Sequence, residues 1–213
     1  MPFQPLAVLL AVLSLAQVHA QKPEELLTHA RSSIGSMNGT FEGWMIVGNG
    51  QTKVPFLVVA KSDGNLTYKF FSPSEAISFR VGTSTGIPQD RFNQVIRNTG
   101  ITHEDLSLWQ LSWPSKGEAD SKLSNGLKFY VVTVTNPSNK GAYGAAEIWI
   151  HQKSLALFRI DAFDRSGNLA RKMEVQKIRN FGDQRIAEQM RISTYTGGKK
   201  AASTYVQLVN ERE

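Results

Sequence analysis

After an opening apolar run over residues 6–16, broken by a single Ser, the hydrophobic positions change period several times along the chain. Leu26, Ala30 and Ile34 recur at helical spacing. Pro23, Glu24 and Glu25 are first-turn residues for that helix, and Gly35 ends it. From Thr40 the period falls to two. Residues 40–47 and 52–61 read as a hairpin around Gly48-Asn49-Gly50, and 66–71 and 77–81 as the strands after an Asp63-Gly64-Asn65 turn. Between Gly82 and Pro114 the spacing is helical again, over residues 88–97 and 105–113. Strands then resume at 127–135, 145–151, 155–163, 169–178, 185–195 and 203–209, joined by short polar turns.

One helix, a set of hairpins, a helical insert and a long meander predict a mainly β (α+β) chain with one antiparallel sheet. Ten or eleven strands in one sheet must curl or close. The later strands are apolar on both faces: Leu127, Phe129 and Val131 lie on one side, Tyr130, Val132 and Val134 on the other. That suits a curved sheet wrapped around helices, and equally a plain β core. No linker, repeat or second core interrupts residues 21–213, so one domain is expected.

Composition adds an address. The run ending Val18-His19-Ala20 has the apolar stretch and small terminal residue of a secretory signal, cut after Ala20. It is shorter than the roughly 20 residues a membrane span needs. The chain has no cysteine, which excludes thiol catalysis, thiolate metal sites and a lipid-bearing cysteine, so the exported protein is expected to be soluble. The net charge of +6 lies wholly beyond residue 20. Export makes nucleic acid an unsuitable partner for it, and no charge run marks a tail.

The candidate chemistry is sparse. Gly82-Thr83-Ser84-Thr85-Gly86 fits G-x-S-x-G, but Ile87-Pro88 stands where a nucleophile elbow needs its helix. His103 and His151 have no partner at metal-ligand spacing, and Asp161, Asp164, Gly167 and Asn168 make a turn rather than a calcium loop. Asn38 and Asn65 head glycosylation sequons. Thr102-His103-Glu104-Asp105 reads as a capping box, with two acids at the positive end of a helix dipole. Behind it Leu106, Trp109 and Trp113 fall at i, i+3 and i+7, an amphipathic helix with an aromatic stripe. No metal or cofactor is expected.

Four stretches carry a resemblance: Asp63–Tyr68 with Phe71-Ser72-Pro73; residues 101–114; Glu147–Ile150 leading into Leu157-Phe158-Arg159; and Asp161–Asp164 with residues 167–171. Over most of residues 24–209 their order and spacing resemble the outer-membrane lipoprotein-sorting proteins, the LolA/LolB-like superfamily. The resemblance implies an incomplete antiparallel β-barrel whose hollow is covered by helices as a lid. It also implies a monomeric periplasmic carrier of lipoprotein acyl chains or other lipid, served by an inner-membrane transporter and an outer-membrane acceptor. Trp44, Phe56, Tyr68, Phe70, Phe79, Leu106, Trp109 and Trp113 are then the candidate lining of cavity and lid. Two other readings stand beside it: an envelope-stress sensor or scaffold binding a protein partner through the same face, and a serine hydrolase using Ser84.

Overall fold

Eleven strands form one antiparallel sheet in the computed structural model, which describes residues 21–48, 50 and 52–212. The expected signal segment, 1–20, lies outside the described residues. In chain order the elements are α1 (Pro23–Gly35), β1 (Gly39–Val47), β2 (Thr52–Ala60), β3 (Asn65–Phe70), β4 (Glu75–Arg80), α2 (His103–Ser107), β5 (Asp120–Ser124), β6 (Leu127–Thr135), β7 (Tyr143–His151), β8 (Leu157–Asp164), β9 (Leu169–Phe181), β10 (Gln184–Thr196) and β11 (Lys199–Arg212). The strand order is β4-β3-β2-β1-β11-β10-β9-β8-β7-β6-β5. The sheet is curled but not closed, an incomplete barrel with β4 and β5 as its edges.

That topology explains the insert. The chain leaves the sheet at the β4 edge and rejoins it at the β5 edge, so residues 81–119 must cross between the two. Helix α1 packs inside the curl against β6, β7, β8 and β10. It carries the predicted pattern, with Leu26, Leu27 and Ala30 buried.

Inward residues alternate along the first strands as period two requires: Phe56 and Val58, then Leu66, Tyr68 and Phe70, then Ile77 and Phe79 are all buried. The close approach of Phe56 to β1 needs a missing side chain. A Cβ on Gly43 would lie 2.4 Å from Cζ of Phe56 and 2.5 Å from the Gln207 carbonyl. Gly43→Ala should therefore cost about 1–3 kcal/mol through overpacking, read as a lowered urea midpoint with an unchanged slope.

The apolar residues on the outer face of β6–β8 form a cluster of their own. Phe129 stacks on Phe158 at 4.7 Å, and Trp149 lies beneath the Arg159 guanidinium at 3.6 Å. A double-sided apolar pattern thus arises from one inner core and one capped outer patch.

The start of the insert and its return to the sheet differ from expectation. Residues 88–97 form a single 3-10 turn at Gln89–Arg91 rather than a helix. Arg97 has left-handed backbone and donates to the Ser72 and Pro73 carbonyls and to Glu75. Those tertiary bonds override the local helical spacing. The other difference is an additional strand, β5, paired with β6 around Asn125-Gly126, both at positive φ.

Candidate functional site

The capping box forms as its sequence implies. Thr102 Oγ1 accepts from the Asp105 amide at 3.2 Å, and Asp105 Oδ2 accepts from the Thr102 amide at 2.9 Å. The helix it starts is only five residues long. Leu108 turns left-handed, with φ 51°, and a 3-10 turn follows at Trp109–Ser112. The continuous amphipathic helix expected over 105–113 is therefore a broken strap. It has no polar outer face either, because every residue from 101 to 111 is buried.

The bend at Leu108 splits the expected aromatic stripe. Leu106 and Leu108 line an apolar cavity of about 100 Å³ together with Tyr68, while Trp109 and Trp113 do not. The two tryptophans pack edge to face at 5.4 Å, and Trp109 meets Phe92 at 5.2 Å, so they anchor the strap in the core. Phe56, Phe70 and Phe79 are buried in the same core outside the cavity lining, Phe56 and Phe79 standing behind Tyr68 at 5.2 and 5.9 Å. Trp44 corrects the expectation most plainly. Phe41, Gly43 and Met45 point inward from β1, which puts Trp44 on the convex face, 38% exposed.

The remaining lining comes from residues that the sequence reading passed over. Ile34 closes the cavity from α1, Met37 from the segment between α1 and β1, and Ala187, Met190, Val206 and Leu208 from β10 and β11. Ile34, Ala187, Met190 and Val206 are half-buried, whereas Tyr68, Leu106 and Leu108 are buried. The cavity consequently opens between the end of α1 and β10–β11, and α2 forms its inner wall. One of the half-buried lining residues is Met190, whose unbranched side chain changes shape at little cost.

Among the described residues, Asp105 is the only charged side chain in that lining. Behind the cavity it accepts from Arg171 Nε at 3.1 Å and from the Tyr143 hydroxyl at 2.7 Å. Arg171 also donates to Tyr143 Oη at 3.0 Å, to the Gly100 carbonyl at 2.8 Å and to Thr194 Oγ1. One guanidinium thus ties the start of α2 to β7, β9 and β10. Glu104 behaves differently. Its Oε2 accepts from the Ala142 amide at 2.8 Å, while Oε1 has no partner. Burial, with Asp105 adding to it, pushes its carboxyl up to about 7. His103 is likewise buried, which depresses its imidazole.

The G-x-S-x-G stretch is a turn that supports this strap. The Gly82 amide donates to the Ser107 carbonyl at 2.8 Å, and residues 83–87 after it are turn and bend rather than the start of a helix. His151 pairs with Ser154 at 2.9 Å, and Nδ1 of His103 is without a partner. Among the described residues, neither histidine is hydrogen-bonded to Ser84.

A half-barrel sheet with a crossing strap and an apolar interior defines a LolA-like fold, and solved structures agree. A DUF1329 family protein from Desulfovibrio piger is similar with a TM-score of 0.68 at 14% identity, covering 89% of this chain and 91% of that one. A LolA superfamily protein from Nitrosomonas europaea follows at 0.65 and 11%, covering 90% and 94%. An outer membrane lipoprotein-sorting protein domain from Vibrio parahaemolyticus gives 0.58 and 14%, covering 89% and 92%. A family model described as an uncharacterized protein matches residues 82–211, more than half of the chain, and the chain belongs to that family. No curated protein matches it in sequence. Among the described residues, no helix is long and apolar enough to cross a membrane.

Proposed function

We propose that the protein is a periplasmic carrier, exported by a cleaved signal over residues 1–20, that takes acyl chains of lipoproteins or related lipids into the cavity between α1, α2 and β10–β11 and moves them towards the outer membrane. The observation that carries this reading is an apolar cavity, with a mouth, inside an open sheet. Ligand pockets are typically ~300–1,000 Å³, so the roughly 100 Å³ present here has to widen to take an acyl chain.

Energetics set how far it must open. Each buried methylene contributes about 0.8 kcal/mol, and micromolar affinity needs about 8 kcal/mol, or roughly ten methylenes. A chain of that length enters only if the end of α1 or Met190 moves aside. The tryptophan-anchored strap supplies a fixed wall against which they can move. Tyr68 and Leu106 are the proposed contacts, with Trp109 and Trp113 holding the wall.

Native mass spectrometry of gently purified protein is expected to show copurified lipid or acylated peptide. Ala187→Trp, which places an indole in the cavity mouth, should weaken a fluorescent fatty acid probe at least about tenfold, the equivalent of losing two buried methylenes, while circular dichroism is unchanged. Undiminished probe binding in that variant, or capture of a protein partner with no lipid at all, would overturn the carrier reading.

A further inference from the structure

We propose that a second, polar groove on the other flank of the last turn of α1 binds the phosphate of an anionic lipid headgroup whose chain lies in the apolar cavity. The inference rests on the carrier reading and narrows it to a class of cargo, lipids bearing a phosphate and a net negative charge.

The groove has a volume of about 450 Å³ and is lined by Arg31 and Arg80 and by hydroxyl residues that include Ser36, Ser62 and Thr83. Its relation to the cavity is direct. Ser33 and Ile34 of α1 line the cavity, Ser32, Gly35 and Ser36 line the groove, and Val81 lines both. One turn of helix therefore separates an apolar space from a hydroxyl-rich, cationic one, the division an amphipathic molecule requires.

Both arginines are placed by the fold. Arg31 donates to the Leu111 carbonyl at 3.1 Å and to Thr28 Oγ1 at 2.9 Å. Its stem lies over Gly82, where φ is +70° and a Cβ would stand 3.0 Å from Arg31 Cδ, so a side chain there would displace it. The helix end and the β2–β3 turn meet glycine to glycine, and a Cβ on Gly35 would lie 3.5 Å from the Gly64 Cα. That approach makes the groove floor from backbone and brings Arg80 alongside, where it is exposed.

One carboxylate, Asp63, also lines the groove. It is already satisfied by Asn65, accepting from the backbone amide at 3.0 Å and from Nδ2 at 2.7 Å, and those bonds hold its carboxyl below the ordinary range. Two guanidinium groups against one paired carboxylate leave a net positive site. Planar guanidinium donors match phosphate oxygens in pairs, and the surrounding hydroxyls donate to those that remain.

The test is calorimetric titration of the full mature chain, below micelle-forming concentrations, with dihexanoyl phosphatidylglycerol, dihexanoyl phosphatidylcholine and inorganic phosphate. Phosphatidylglycerol should bind about tenfold tighter than phosphatidylcholine, the scale of one charge-assisted hydrogen-bond pair. Arg80→Gln, at an exposed position, should weaken phosphatidylglycerol more than phosphatidylcholine and so remove most of that preference, and Arg31→Gln with Arg80→Gln should abolish it. Equal affinity for the two lipids, unchanged in the variants, would overturn the headgroup site and leave the carrier reading standing. Phosphate binding that Arg80→Gln removes, with neither lipid bound, would make the groove a free-anion site and refute the headgroup assignment. Absence of lipid binding in every arm would remove the carrier reading and this inference together.

Discussion

Arg171→Met should lower the unfolding free energy by about 3–5 kcal/mol, the cost of leaving a buried charge without its partner. Asp105 is fully buried, and in the variant it keeps only the Thr102 amide and the Tyr143 hydroxyl as donors. The loss is larger than that of one ion pair because Arg171 also serves Tyr143, Gly100 and Thr194 from a single planar group. Lysine cannot reach these acceptors at once, so Arg171→Lys should recover little of the loss. The double variant Asp105→Asn with Arg171→Met should be more stable than Arg171→Met alone, since it removes the stranded charge. Urea unfolding of the three variants measures this. An Arg171→Met midpoint equal to that of the parent would show that the network does not hold the strap.

That network also marks the limit of what the sequence discloses. The strand periods, the first helix, the capping box and the curled sheet were legible because each is written in local spacing. Asp105 was legible as a helix-starting acid, but its tie to Arg171 spans 66 residues and no local pattern encodes it. The same holds for the cavity. Tyr68 and Leu106, which line it, lie in strongly patterned segments, whereas Ala187, Met190 and Val206 come from long strands with weak alternation. Trp44 is large and apolar like the core residues beside it, but the parity set by Phe41 and Met45 turns it outward. The β5 hairpin did leave a signal in Asn125-Gly126, a strongly preferred two-residue hairpin turn, but it follows a strand too polar to show a period. Leu108 is a case of tertiary override, in which a good helix former is forced left-handed so that the tryptophans and Leu106 can face different parts of the core.

Glu104 gives the fold a pH dependence of opposite sign to that of a salt-bridged acid. Its carboxyl is raised from 4.5 to about 7 by burial, so between those values the folded chain binds a proton that the unfolded chain has released. The stabilisation is complete below pH 4.5, falls as pH rises, and is lost above about 7. At 1.36 kcal/mol per unit the whole change is about 3 kcal/mol. Asp161, raised by its burial, acts in the same direction. His103, depressed by burial, acts against it below pH 6.5. The contribution of Glu104 is therefore isolated by difference. Glu104→Gln, which keeps an acceptor for the Ala142 amide, should flatten the fall in stability between pH 5 and 7 and exceed the parent in stability at pH 8. Because Glu104 opens α2 at the inner wall of the cavity, the same titration should loosen that wall, read as faster amide exchange over residues 103–108 at pH 8 than at pH 5 after correction for intrinsic rates. Parallel stability profiles for parent and variant would assign the buried carboxyl no such role.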